Sequence, residues 1–221
     1  MKKDNLELIL DFDYTLFDAR RFRLALAHSL KKLGVPTKVF LQLYPLAVSK
    51  QNGHYSYDYY KHVMLISRKY PKLSQPKARK LMEVIVRSSY KYLYSETVNF
   101  LRFFKKNNFK LILVTHGNPS FQKKKLEYSG INHFFSSVVL SPAAKVVTLK
   151  RIKKNFGKAF FVSDHINELL QIKHHLPKLI PIMKASSHYS DIVKAKKHRI
   201  STFKTLTQIK KFIMKELARQ I

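Results

Sequence analysis

Leu8-Ile9-Leu10-Asp11-Phe12-Asp13-Tyr14-Thr15-Leu16-Phe17-Asp18 decides how the rest of this chain is read. Its apolar opening, Leu8 to Leu10, is a short buried strand by composition, and it runs straight into two aspartates separated by one residue. Alternate residues of a strand point to one side, so Asp11 and Asp13 begin on the same side of the chain. Carboxylates converging where a buried strand ends repel each other unless a cation or a shared proton lies between them. A bare Asp-x-Asp is usually a pair of solvated loop acids. Here the strand directly before it and Thr15 two residues after it favour a site.

Working outward, Ala19 to Leu33 has helical spacing, with Phe22, Leu26, Leu30 and Leu33 on one side, and Gly34-Val35-Pro36 stops it. From Thr37 to Tyr94 the spacing predicts helices alone, broken at Gln51-Asn52-Gly53 and between Pro71 and Pro76. This block reads as a helical insertion. From Ser95 the pattern alternates. Strands are predicted over 109–114, 134–140, 158–162, 179–183 and 199–201, and helices over 97–106, 119–128, 143–155, 166–175 and 206–219. Continuous apolar strands alternating with helices imply an α/β fold, a Rossmann-like parallel sheet covered by helices on both faces. Ligands of such sheets bind beyond the carboxyl ends of the strands, near the switch in strand order. Asp11, Asp13, Thr115, Asp164 and Lys145 all fall at or just beyond such ends.

Composition bounds the function. At 221 residues and 45% hydrophobic, the chain is long enough to bury a core as one domain, or one domain with a sizeable insertion. It has no cysteine, which excludes a disulfide framework, a thiolate metal site and a thiol nucleophile. Met1-Lys2-Lys3-Asp4-Asn5 leads into a run too short for a signal peptide, and no stretch has the ~18 apolar residues of a membrane span. A soluble, cytoplasmic protein is expected. The net charge is +30, from 43 Lys and Arg against 13 Asp and Glu. Such a balance suits nucleic acid, an anionic membrane or polyanionic substrates. The bases are scattered, however, with no run longer than Lys123-Lys124-Lys125, so the charge names no partner. No oligomeric state can be read.

Asp-Phe-Asp-Tyr-Thr-Leu at 11–16, Leu-Ile-Leu-Val-Thr at 111–115, Lys145, and Val-Ser-Asp-x-x-x-Glu at 162–168 occur in the order, and at spacings comparable to those, of one known family. In this the chain resembles the haloacid dehalogenase superfamily of phosphohydrolases and phosphotransferases, over about Leu6 to Met183. The resemblance is to its helical-cap type, the phosphoglycolate phosphatase-like members. It implies a core domain of residues 1–19 and 95–221 and a helical cap of residues 20–94. It implies Asp11 as nucleophile, Asp13 as general acid and then base, and Thr115 and Lys145 as catalytic groups that bind the phosphate, with His116 beside it. A magnesium ion would be held by Asp11, the backbone carbonyl of Asp13, Asp164 and Glu168, the last through water or by orienting the others.

Two departures stand out. Ser163 precedes Asp164 where glycine is common, and Glu168 replaces a second aspartate. His116 stands where a small polar residue is usual. Asp13 favours phosphate chemistry over dehalogenation, because the family's dehalogenases lack that carboxylate. The activity implied is a magnesium-dependent phosphatase of a small phosphorylated metabolite. Sugar phosphates, phosphoglycolate and nucleoside monophosphates all fit, with Arg20, Arg21, Tyr55, Tyr57 and Lys61 as candidate cap contacts. The alternatives are a phosphotransferase or mutase of the same superfamily, or a basic nucleic-acid-binding protein on a phosphatase-like scaffold. Scattered bases and intact acids argue against the last.

Overall fold

The structure, a computed structural model, describes residues 6–51, 54–141, 144–152, 156–157, 159–186 and 191–219. Strand β1 (Glu7–Leu10) is buried along its whole length. Beyond it the chain turns tightly: the Phe12 carbonyl accepts from the amides of Leu16 (2.9 Å) and Phe17 (3.0 Å), and Tyr14 takes a positive φ of 58°. Asp18 then caps α1 (Ala19–Ser29), its carboxylate accepting from Arg21 N at 2.9 Å. A 3₁₀ turn over Leu30–Leu33 follows and closes on Gly34 at φ 76°, a left-handed conformation that suits glycine.

Next come α2 (Thr37–Leu43), then β2 (Val48–Gln51) and β3 (His54–Tyr57), which pair antiparallel with Val48 opposite Tyr57. This ribbon corrects the expectation of helices alone. A two-stranded ribbon away from the main sheet carries no continuous apolar run. Its sequence signal was the hairpin-favouring pair Asn52-Gly53, which lies outside the described residues. The segment ends with α3 (Tyr59–Lys69), capped by Asp58, and α4 (Gln75–Arg87). Phe40, Val63, Ile66, Met82 and Val86 are buried together between these helices.

The remainder alternates: α5 (Thr97–Lys106), β4 (Lys110–His116), α6 (Pro119–Ser129), β5 (Ser137–Ser141), α7 (Lys145–Ile152), β6 (Ala159–Ser163), α8 (Ile166–His175), β7 (Leu179–Lys184), α9 (Ile192–Lys197), β8 (Ser201–Phe203) and α10 (Leu206–Ala218). The main sheet has six parallel strands in the order β5-β4-β1-β6-β7-β8. Side-chain alternation divides its strands between two cores. Leu8, Leu10, Leu113 and Val162 face one core, with residues of α5, α6 and α10, while Ile9, Val114 and Phe161 face the other, with residues of α7, α8 and α9. Helices therefore cover both faces, as the alternating pattern requires.

Two differences are local. The last strand begins at Ser201, two residues later than expected, and the six-residue, lysine-rich α9 carried too little periodicity to be read. Residues 143, 153–155 and 158, included in the expected helix and strand, lie outside the described residues. Among the described residues no helix is long and apolar enough to cross a membrane. The order of the strands places the site: β1 sits between β4, leading outward one way, and β6, leading the other, so the switch lies at its carboxyl end.

Candidate active site

Three neighbouring strands converge their last residues on one cavity of about 580 Å³, lined by Asp11, Asp13, Thr115, His116, Lys145, Asp164 and Glu168 among others. The seven catalytic, phosphate-binding and metal candidates named from the sequence are therefore brought together. The turn after β1 supplies the aspartates, the end of β4 supplies Thr115 and His116, and the residue after β6 is Asp164. Lys145 opens α7 and Glu168 lies in the first turn of α8.

The centre is a buried ion cluster. Lys145 Nζ lies 2.8 Å from Asp11 Oδ2 and 2.7 Å from Glu168 Oε2. Asp11 Oδ1 accepts from the Phe12 amide at 2.7 Å. Ser163 Oγ stands 3.3 Å from Asp11 Oδ2 and 3.1 Å from Glu168 Oε2, so its one proton serves either carboxylate. His116 Nδ1 is 3.4 Å from the other Glu168 oxygen. Both departures from the family pattern thus meet here: Ser163 and His116 each contact Glu168.

Charge follows from this packing. Burial alone disfavours the Lys145 ammonium, but Asp11 and Glu168 outweigh it and hold the lysine protonated well above its ordinary range. Burial raises Glu168 too, yet Lys145 and the hydrogen bond from His116 bring its carboxyl well below the usual range. Asp11 is raised by burial, with Lys145 opposing and Glu168 adding. Asp164 is pushed up to about 8 by burial and then by the Asp11 charge, while its hydrogen bond from Ser186 (2.8 Å) opposes the shift.

Among the described residues no three His, Asp or Glu side chains form a metal cage on their own. The donor set still suits one kind of ion. Asp11 and Asp164 are both buried carboxylates, and the Asp11 charge adds to the cost of ionising Asp164. Magnesium is a hard cation that prefers oxygen and is commonly held by one or two carboxylates, keeping several waters. Both oxygens of Glu168 already face Lys145, Ser163 or His116.

The structure also contains a group that sequence reasoning missed. Lys125 Nζ contacts Asp13 Oδ1 at 2.5 Å and is almost fully buried, beneath the rings of Phe12, Phe17, Phe22 and Phe121 at 4.8–5.7 Å. Gln122 Nε2 donates to Asp13 Oδ2 (2.8 Å) and to the His116 carbonyl (2.6 Å), and Gln122 Oε1 accepts from Lys125 (3.0 Å). Gly117, at φ 130°, allows this approach, since a Cβ there would sit 2.9 Å from Gln122 Nε2. Lys184, at the end of β7, reaches the Tyr14 carbonyl at 3.3 Å and the Tyr94 ring at 3.8 Å. Of the expected cap contacts, Tyr57 lines the cavity. Arg20, Arg21 and Lys61 are exposed and do not, and the Tyr55 side chain lies outside the described residues.

Fold and site together define the class: a doubly covered parallel α/β protein with a carboxylate–lysine centre at its strand-order switch. The chain belongs to the haloacid dehalogenase-like hydrolase family, which matches residues 8–175. Among solved structures it is similar to a Burkholderia xenovorans protein described as a haloacid dehalogenase-like hydrolase, at 17% identity and TM-score 0.70, covering 91% of this chain and 95% of that one. A predicted phosphoglycolate phosphatase of Haemophilus somnus gives 15% identity and TM-score 0.59, covering 94% and 97%. Bacillus subtilis YfnB, described as a HAD-hydrolase bound to magnesium and undergoing interdomain movement, gives 15% and 0.58, covering 94% and 97%. At these identities the likeness carries the fold. No curated protein matches the sequence.

Proposed function

We propose that this chain is a magnesium-dependent phosphatase that hydrolyses a small phosphorylated metabolite through an aspartyl-phosphate intermediate. One observation carries the reading. Asp11 is fixed by Lys145 at the polar end of an open cavity, with a second carboxylate, Asp13, two residues on and separately held. Phosphoryl transfer requires positioning and neutralisation of spread-out negative charge, and these residues supply both.

In this reading Asp11 attacks phosphorus and the bond to the leaving oxygen breaks, while Asp13 gives that oxygen its proton. Asp13 then takes a proton from water, which attacks the aspartyl-phosphate and returns Asp11 as a carboxylate with release of phosphate. Lys145 neutralises Asp11 and the incoming phosphate. Thr115, nearly fully buried at the end of β4, offers its hydroxyl to a phosphate oxygen, and His116 its backbone amide. Asp11, the Asp13 carbonyl and Asp164 would hold magnesium, whose charge lets an anionic nucleophile approach an anionic phosphate. Glu168 acts on this set by fixing Lys145 and orienting the other groups.

Residues 20–94 serve as the cap over a core of residues 1–19 and 95–221. Support comes from the insertion point, directly after the aspartates, and from side chains of α1 and β3 lining the cavity. The interdomain movement described for YfnB is the kind of closure such a cap would use. The test is hydrolysis of a generic aryl phosphate with and without magnesium. Activity that needs magnesium and disappears in Asp11→Asn supports the reading; normal turnover by the folded variant refutes it.

A further inference from the structure

The cavity is chemically divided. Its polar end is the ion cluster at the strand ends. The opposite wall, built from α1, the segment around β2 and β3, and α6, presents Phe22, Leu26, Tyr44, Tyr57 and Phe121, with Arg23 as its cation. The rings form a continuous surface: Tyr44 stacks on Tyr57 (4.6 Å between centroids, 20° between planes), Tyr57 meets Phe121 edge-on at 5.5 Å, and Phe121 lies 6.1 Å from Phe22. Arg23 lies over the Tyr44 ring at 5.0 Å. The Tyr57 hydroxyl is engaged with His62 Nδ1 at 2.9 Å, so this tyrosine offers the cavity its ring and not its oxygen. Lys125, on the same side, is already paired with Asp13.

We infer that the substrate is a phosphomonoester whose leaving group carries a planar aromatic or heteroaromatic ring, seated against Phe22, Tyr44, Tyr57 and Phe121. The inference rests on the phosphatase reading of the same site and narrows it. A hydroxyl-rich leaving group would be stripped of water against these rings, which is costly, and a carboxylate would find one cation there, Arg23. A flat ring buries apolar area there and finds ring faces and edges to pack on. Size points the same way. The cavity, about 580 Å³ and continuous from the ion cluster to these rings, has room for a ring-bearing leaving group, and a two-carbon one such as that of phosphoglycolate would leave this wall unused. Arg23 over Tyr44 adds a planar cation on which an electron-rich ring can stack.

The test compares esters with the same kind of leaving oxygen, so that leaving-group reactivity does not decide the result. With magnesium, kcat/KM is measured for adenosine 5′-monophosphate against ribose 5-phosphate, and for benzyl phosphate against glycerol phosphate and phosphoglycolate. The ring-bearing member of each comparison is expected to be favoured at least tenfold. Tyr44→Ala, at a half-buried position, is expected to shrink that preference mainly through KM. Calorimetric binding of benzylphosphonate against methylphosphonate, neither of which can be hydrolysed, reads the same preference without turnover. Ring preference in binding with no hydrolysis of any ester would overturn the phosphatase reading and the substrate inference with it, leaving only a ring-binding wall. Hydrolysis of all esters with no ring preference, or with phosphoglycolate preferred, would overturn the inference alone. A benzyl preference that adenosine monophosphate does not share would uphold an aromatic substrate and remove the nucleotides from that class.

Discussion

Lys125→Met tests the least anticipated part of the site, the clamp on Asp13. Methionine keeps the stem's bulk among four aromatic rings, where thioethers pack well, so the change isolates the charge. At 2.5 Å the bare attraction of Lys125 for Asp13 is about 6–7 kcal/mol at an effective dielectric of ~20 and about 2 kcal/mol at that of water. The Asp13 side chain keeps 26% exposure, so the solvated end of that range governs, and a coupling of about 2 kcal/mol is expected. The assay is a double-mutant cycle of Lys125→Met and Asp13→Asn, read by urea unfolding, alongside kcat and KM for an aryl phosphate. A loosened Asp13 should lower kcat by about tenfold, part of the ~10²–10⁴ that a positioned acid–base group supplies. Coupling below ~0.5 kcal/mol, together with unchanged kcat, would show that the contact neither stabilises the fold nor orients Asp13.

Three further outcomes follow from the same packing. Lys145→Ala leaves Asp11 and Glu168 buried without their cation and should cost about 3 kcal/mol in urea unfolding at neutral pH, as well as activity; a loss under 1 kcal/mol would contradict the cluster as described. Gly117→Ala forces a Cβ against Gln122 from a left-handed backbone and should destabilise by about 1–3 kcal/mol while lowering kcat, so full activity and stability would count against the Gln122 contact. His62 donates from Nε2 to the Phe40 carbonyl and accepts from Tyr57, and burial lowers its pKa from 6.5 to about 4. The unfolded chain therefore binds the extra proton first. Stability from this group is complete above pH ~6.5 and falls by ~3 kcal/mol as pH drops towards 4, a loss that His62→Gln should abolish in unfolding midpoints measured from pH 7 to 4.5.

The sheet was legible because five of its six strands carry apolar runs; the sixth, Ser201–Phe203, carries none and begins two residues later than expected. Asp11, Asp13, Thr115 and Asp164 were legible because they end such runs, where parallel α/β sheets bind their ligands. Lys145 and Glu168 came through the family resemblance, since nothing local distinguishes one lysine among the many in this chain. Lys125 was hidden within Lys123-Lys124-Lys125, which reads as a solvated run. Helical phase held the signal: Lys125 lies one turn after Phe121 and beside Leu126, on the buried side of α6, whereas Lys123 is exposed. The pairing of Lys125 with Asp13 spans 112 residues and had no local trace. The same holds for Ser186 on Asp164 and Lys184 on the Tyr14 carbonyl, contacts made only when the strand ends meet.

The central claim is that Asp11 carries the phosphoryl group, and chemical trapping tests it most directly. Borohydride reduces an acyl phosphate, so quenching the protein with it during turnover of an aryl phosphate should convert Asp11 to homoserine. Peptide mass spectrometry would then place the change at position 11 and nowhere else. The conversion should require both substrate and magnesium. Steady turnover with an unmodified Asp11 peptide, or trapping at another carboxylate, would contradict the account.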